Sequence, residues 1–169
     1  MDQIIVGMAD CRIADGAGQV LATFALGSCI GLAIYDPQTK VGGLLHFMLP
    51  DSTIDPARGK AQPFMFADTG IPLLLDQVYG RGGLKRRLIV RAAGGARMMD
   101  QENVFEIGKR NYLAMRKILW KSGILVHAEA VGGVRSRTVR LDTSTGKMWL
   151  LEGGEQRELV AGGPRQGGN

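Results

Sequence analysis

The chain has 169 residues, 45% of them hydrophobic and 22% charged, with a formal net charge of +5. These values suit one compact domain and exclude a largely disordered or fibrous chain. Two cysteines and two histidines are too few for a disulfide framework or a zinc cluster of the usual kind, so neither a metal nor a cofactor is expected.

The opening Met1-Asp2-Gln3 has no basic n-region and no small-residue cleavage site, which points to the cytoplasm, where thiols stay reduced. Residues 3–7 are rich in Ile and Val and read as a strand; the segment up to Gly18 reads as a turn region, and residues 20–24 as a second strand. The uncharged stretch 16–35 has the length of a membrane span, but Gln19, Thr23, Gly27, Ser28, Cys29 and Gly31 interrupt it. Buried strands at a polar turn explain it better, and no membrane insertion is expected.

Residues 31–35 and 41–49 are apolar runs on either side of the turn Asp36-Pro37-Gln38-Thr39-Lys40, a pattern that predicts a hairpin covered on both faces. Residues 50–67, with Pro50, Pro56, Gly59 and Pro63, read as one long irregular connection. A helix is predicted over 71–79, with Asp68-Thr69 before it as a cap and Pro72 near its first turn. A strand over 88–93, a glycine turn at Gly94-Gly95-Ala96-Arg97-Met98-Met99 and a helix over 108–122 follow, the last after a lead-in from Asn103. That helix sets Tyr112, Leu113, Met115, Ile118, Leu119 and Trp120 on a broad apolar face. Strands are expected over 124–131, 137–142 and 147–151, and from Gly153 to Asn169 a Gly-rich, poorly ordered tail. The domain therefore spans residues 1–152.

The charge is uneven. Residues 1–50 carry −2 and the remainder +7, concentrated in Lys85-Arg86-Arg87, in Lys109, Arg110, Arg116, Lys117 and Lys121, and in Arg135, Arg137 and Arg140. With no nucleic-acid motif and no aromatic series among these charges, they read as a solvated face that steers toward an acidic partner, not toward nucleic acid. Gly94-Gly95 and Gly132-Gly133 lack the order of a phosphate loop and read as close backbone packing at turns. Cys11 has no histidine near it in sequence, and His127 reads as a strand position; neither is assigned a role.

Cys29 is different. It follows Gly27-Ser28, where a tight bend can leave N–H groups around Ser28, Cys29 and Ile30 pointing outward as an oxyanion site. His46 lies 17 residues later on the second strand of the predicted hairpin, about equally far from the turn, so thiol and imidazole come to the same end. A nucleophile needs a base in that place, and an imidazole that takes the thiol proton forms an ion pair with a reactive thiolate. Thr23, at the end of the preceding strand, can accept the other ring N–H and orient the base. Spacing alone leaves open that Cys29 and His46 are ordinary core residues.

The run Thr23-Phe-Ala-Leu-Gly-Ser-Cys29-Ile-Gly-Leu-Ala-Ile-Tyr-Asp36-Pro37, with Lys40-Val-Gly-Gly-Leu-Leu-His46-Phe-Met-Leu-Pro50-Asp51-Ser52, resembles the CheD family of chemoreceptor glutamine deamidases. Ala67-Asp-Thr-Gly-Ile-Pro, Gly94-Gly-Ala-Arg-Met, Ile107-Gly-Lys-Arg-Asn111 and Arg140-Leu-Asp-Thr-Ser-Thr-Gly146 follow in family order. Departures are Val134 after Gly132-Gly133, where the family usually has a polar residue, and Phe66, where Tyr is expected. The resemblance implies an α/β fold, a sandwich of packed β-sheets with outer helices similar to the toxin glutamine deamidases. It also implies a catalytic Cys29-His46-Thr23 triad and methyl-accepting chemoreceptors as substrate, with a CheC-type phosphatase as a further partner. Two other readings stand beside it: a non-catalytic adaptor for the same partners, and a receptor glutamyl methylesterase using the same triad.

Overall fold

The structure, a computed structural model, describes residues 2–98 and 106–161. Strands β1 (Asp2–Ile5), β3 (Gln19–Leu26), β8 (Arg137–Asp142), β9 (Met148–Glu152) and β10 (Glu155–Glu158) form one mixed sheet in the order β1-β3-β8-β9-β10. Strands β2 (Asp10–Asp15), β4 (Ile30–Tyr35), β5 (Val41–Phe47), β6 (Ile89–Gly94) and β7 (Ala128–Val131) form a second in the order β2-β5-β4-β6-β7. Leu21, Leu26, Val139 and Leu141 of the first sheet pack against Ala33, Tyr35 and Leu44 of the second. Helices α2 (Ala67–Gly80) and α3 (Ile107–Lys121) cover the other face of the second sheet, with Ile71, Leu74, Val78, Met115 and Leu119 against Ile30, Leu32, Leu45 and Phe47. The fold is the expected sandwich with outer helices, which lie on the second sheet.

The predicted hairpin is β4–β5, antiparallel, with Gly31 opposite His46 and Tyr35 opposite Gly42. Every residue of both strands is buried, as their continuous apolar character requires when sheet and helices cover both faces. At the turn Asp36 is fully buried. Its carboxylate accepts hydrogen bonds from Arg87 Nη2 at 2.7 Å, Leu84 N at 3.0 Å and Gln38 N at 2.9 Å. Burial works to raise its pKa, but these donors together hold it at about 2.

Several local expectations change. The segment read as a turn region before Gly18 contains β2, whose Asp10, Arg12 and Asp15 mask a strand that buries Cys11 and Ala14. Charges belong on such a strand because β2 is the edge of its sheet. The connection 50–67 holds a short helix, α1 (Pro56–Ala61), capped by Asp55 accepting from Arg58 N, and two 3-10 turns. Helix α2 begins at Ala67, so Asp68 lies inside its first turn and is no cap. Its carboxylate instead accepts from Ser52 N at 2.9 Å and Ser52 Oγ at 2.7 Å, pinning the loop to the helix. The strand expected over 124–131 pairs only from Ala128.

The tail expected from Gly153 is ordered as far as it is described: β10 pairs with β9, and Leu159 is buried. On α3, Leu113 and Trp120 are exposed, not part of the apolar face, because the helix packs through Asn111, Met115 and Leu119. Met99 and Asn103, read as turn and helix lead-in, and residues 162–169 of the tail lie outside the described residues.

Candidate active site

Strands β3 and β4 belong to different sheets, so Gly27-Ser28-Cys29 carries the chain from one layer to the other. The bend is prepared by a bulge in β3. Thr23 pairs with Val139 and Leu26 with Arg137, leaving one extra residue on β3, and Ala25 takes a positive φ of 54°. Its N–H is satisfied by Thr138 Oγ1 at 3.2 Å.

Two segments hold the crossing from below and beside. Gly95 N–H donates to Cys29 O at 2.9 Å and Ala96 N–H to Gly27 O at 2.8 Å. This contact requires glycine at 94: φ is +115°, and a Cβ there would stand 2.1 Å from Cys29 O. The pair Gly94-Gly95 is therefore the close backbone packing that the sequence suggests, placed against the Gly27–Cys29 loop. Asn111 of α3, fully buried, donates through Nδ2 to Ser28 O and to Met48 O, both at 2.9 Å. One side chain thus ties the loop to the end of β5.

Thr23 and His46 meet between the sheets. Thr23 Oγ1 lies 2.7 Å from His46 Nδ1 and also 2.7 Å from Val6 O. The Val6 carbonyl can only accept, so the one hydroxyl proton of Thr23 goes to it, and the Thr23 oxygen must accept from Nδ1–H. That assigns the tautomer: Nε2 carries the lone pair. Nε2 is buried without a hydrogen-bond partner. The approach depends on Gly31, directly across from His46, where a Cβ would stand 3.3 Å from Thr23 Cγ2 and 3.0 Å from Leu26 Cδ1.

Cys29 packs against the same inter-sheet cluster and is only half-buried, whereas Thr23 and His46 are buried. It lies just before β4, two residues ahead of Gly31, the residue directly across from His46. The sulfur and Nε2 are not hydrogen-bonded. Free-enzyme contacts of this kind are commonly long and tighten on substrate binding. Of the backbone groups singled out for an oxyanion, Ile30 is the first residue of β4, paired with both Phe47 and Gly94, and only Ser28 and Cys29 lie in the loop outside the ladder.

The electrostatics correct one expectation. Burial lowers the His46 pKa to about 4, with Asp10 opposing the shift. Burial also pushes the Cys29 thiol up, against the pull of its own backbone N–H. The resting pair is a neutral thiol and a neutral imidazole, not the ion pair expected from spacing. Asp10 stands opposite His46 in the β2–β5 register, held by Arg12 at 3.2 Å, and its charge is what opposes the His46 shift. Neither Asp10 nor the Val6 carbonyl carries a sequence signal: Asp10 lies on a strand masked by charge, and Val6, just after β1, acts through its backbone oxygen. Cys11 is buried with its thiol raised to about 12, which leaves it inert. His127 sits elsewhere, its Nδ1 accepting from Val90 N at 3.0 Å. No group of metal-ligating side chains is present among the described residues.

The family model for CheD chemotactic sensory transduction matches residues 48–152, and similarity to curated relatives extends over the whole chain. The chain belongs to the CheD family. It is 67% identical, over the full length of both chains, to a probable chemoreceptor glutamine deamidase CheD of Solibacter usitatus. It is 49% identical to a probable chemoreceptor glutamine deamidase CheD 1 of Syntrophus aciditrophicus, covering 94% of this chain and all of the relative. With a CheD of Pyrococcus horikoshii bearing the same description it shares 41% identity, over 88% of this chain and 91% of the relative. The CheD family match begins after His46, so Thr23, Cys29 and His46 fall outside it; the full-length relative spans them.

Proposed function

We propose that this CheD-family protein is a protein-glutamine deamidase acting on methyl-accepting chemoreceptors in the cytoplasm, with Cys29 as nucleophile, His46 as base and Thr23 as the group that orients it. The observation that carries the reading is the Thr23–His46 bond, which presents an unpaired Nε2 lone pair on the face occupied by Cys29. The names of the relatives support the substrate and the reaction.

As Cys29 Sγ attacks the side-chain amide carbon of a glutamine, His46 Nε2 takes the thiol proton. The amide oxygen becomes an oxyanion held by the N–H groups of Ser28 and Cys29. The imidazolium, steadied by Asp10 and by Thr23 at Nδ1, gives its proton to the departing nitrogen. Ammonia leaves and a thioester remains. His46 then draws a proton from water as the water attacks the thioester, and returns it to the thiol. The products are glutamate and ammonia, and the enzyme is restored.

Mass spectrometry of a chemoreceptor cytoplasmic fragment incubated with wild type and with Cys29→Ala tests this. Wild type should convert specific glutamines to glutamate with stoichiometric ammonia, and Cys29→Ala should not, while keeping the fold. Conversion by both would remove Cys29 from the mechanism. Methanol from a methylated fragment in place of ammonia would favour the esterase, and binding without either product the adaptor. A CheC-type phosphatase is the further partner we propose, to be checked by co-elution of the purified pair.

A further inference from the structure

Helix α3 turns an apolar stripe outward. Leu113 is 53% exposed and Trp120 77%; seven residues apart, they lie on one line along the helix. Lys109 and Arg116 flank this line on one side, Lys117 and Lys121 on the other. Beyond the helix Leu125 is 74% exposed, and the Lys85 ammonium lies against Gly123, bringing the basic turn Lys85-Arg86 to the same end. Glu129, the carboxylate beside this surface, is already held by Tyr112 and Arg116.

The stripe starts at the end of α3 that lies beside the candidate active site, where Asn111, on the buried inner face of the helix, bonds Ser28 O. From Lys109 to Lys121 it extends about 18 Å at 1.5 Å per residue. A surface of apolar residues bordered by cations calls for an apolar stripe bordered by anions. A second copy of this chain does not meet that need, since a two-fold interface would set the same lysines against each other. A bilayer would cover the stripe but present no side chain to Cys29.

We propose that the outer face of α3 is an exosite that docks an acidic amphipathic helix of the protein substrate, its apolar side on Leu113 and Trp120 and its carboxylates toward Lys109, Lys117 and Lys121. This deepens the deamidase reading and rests on it for the identity of the substrate.

The test compares wild type with Trp120→Ala and with the double variant Lys117→Glu/Lys121→Glu on two substrates: a chemoreceptor cytoplasmic fragment and a short peptide carrying only its target glutamine. On the fragment KM should rise about tenfold or more, as for loss of an aromatic anchor, with kcat within about twofold of wild type. On the peptide neither constant should change, and the effect on the fragment should shrink in high salt. Fragment binding to Cys29→Ala protein, measured by anisotropy, should weaken with the same substitutions. That arm reads docking even where no ammonia is released, so failure of the chemistry and failure of the exosite are separable. Unchanged KM and binding would overturn the proposal, as would equal losses on peptide and fragment. So would a dimer abolished by Trp120→Ala in sedimentation, or binding of the stripe to phosphatidylglycerol vesicles in place of the fragment.

Discussion

Thr23 and His46 stand on different sheets and are joined by a hydrogen bond of 2.7 Å. The bond decides which imidazole nitrogen is basic, because the Thr23 proton is already committed to Val6 O. Replacing Thr23 by Val removes the acceptor for Nδ1–H and leaves it buried and unpaired, at a cost of about 1–3 kcal/mol. Ammonia release by Thr23→Val should fall about 10²-fold or more, within the span contributed by a positioned general base. Thr23→Ser keeps the oxygen and should retain most activity. Equal rates for Val and Ser would show that the tautomer is set by something else.

A second prediction concerns pH. With His46 held at about 4, the acid limb of kcat/KM should lie near pH 4, well below the 6.5 of a free imidazole. The raised Cys29 thiol should make iodoacetamide alkylation climb only at alkaline pH, with no low-pH thiolate plateau. An acid limb near 6.5 would show that burial does not depress the imidazole, and fast alkylation at pH 6 would restore the ion pair. The folded-state pKa of His46 lies below its unfolded value, so the unfolded chain takes up a proton that the folded site refuses. Its contribution to stability is complete above 6.5 and falls as pH drops toward 4.

Gly31→Ala probes the spacing between the sheets. Its Cβ would press on Leu26 Cδ1 and Thr23 Cγ2 at 3.0 and 3.3 Å, so Leu26 or Thr23 must shift by a few tenths of an ångström, enough to lengthen the Thr23–His46 bond if Thr23 gives way. Overpacking of this kind costs about 1–3 kcal/mol, which a domain can survive, while activity should fall about as far as in Thr23→Val. Thermal denaturation beside ammonia release checks this, and a stable, fully active variant would contradict it.

Asp36 anchors the opposite end of the hairpin. Because its pKa falls from 3.8 to about 2 on folding, its stabilisation is present above pH 3.8 and is lost as pH falls through 2. Asp36→Asn keeps the size but forfeits the charge paired with the partly exposed Arg87, a loss of about 2–3 kcal/mol on the scale of the pKa shift. Urea denaturation at pH 7 should show that loss, and the gap to wild type should narrow toward pH 2. A pH-independent gap would point to packing, not charge.

The hairpin could be read from residues alone because its signals are local. The Asp36-Pro37 turn and the apolar runs beside it specify β4 and β5, and their lengths bring Cys29 and His46 to one end. Strand β2 was illegible for the opposite reason: Asp10, Arg12 and Asp15 suit a solvent-facing edge, and only its pairing with β5 identifies it as a strand. The outer face of α3 was misread because helical periodicity permits Trp120 to sit at the border of the apolar arc. Packing through Asn111 and Met115 turned it out.

By itself the sequence determined the family, through motif order, and with the family the sandwich class; short-range spacing on the hairpin only nominated Cys29, His46 and Thr23 as candidates. The tertiary structure decided what those side chains are chemically. Protonation depends on burial and on partners distant in sequence: Val6 O takes the Thr23 proton and so sets the tautomer, Asp10 comes from an edge strand to oppose the His46 shift, and Asn111 reaches from a helix to hold the loop that carries Cys29. Each of those contacts exists only once the two sheets and α3 have closed on one another.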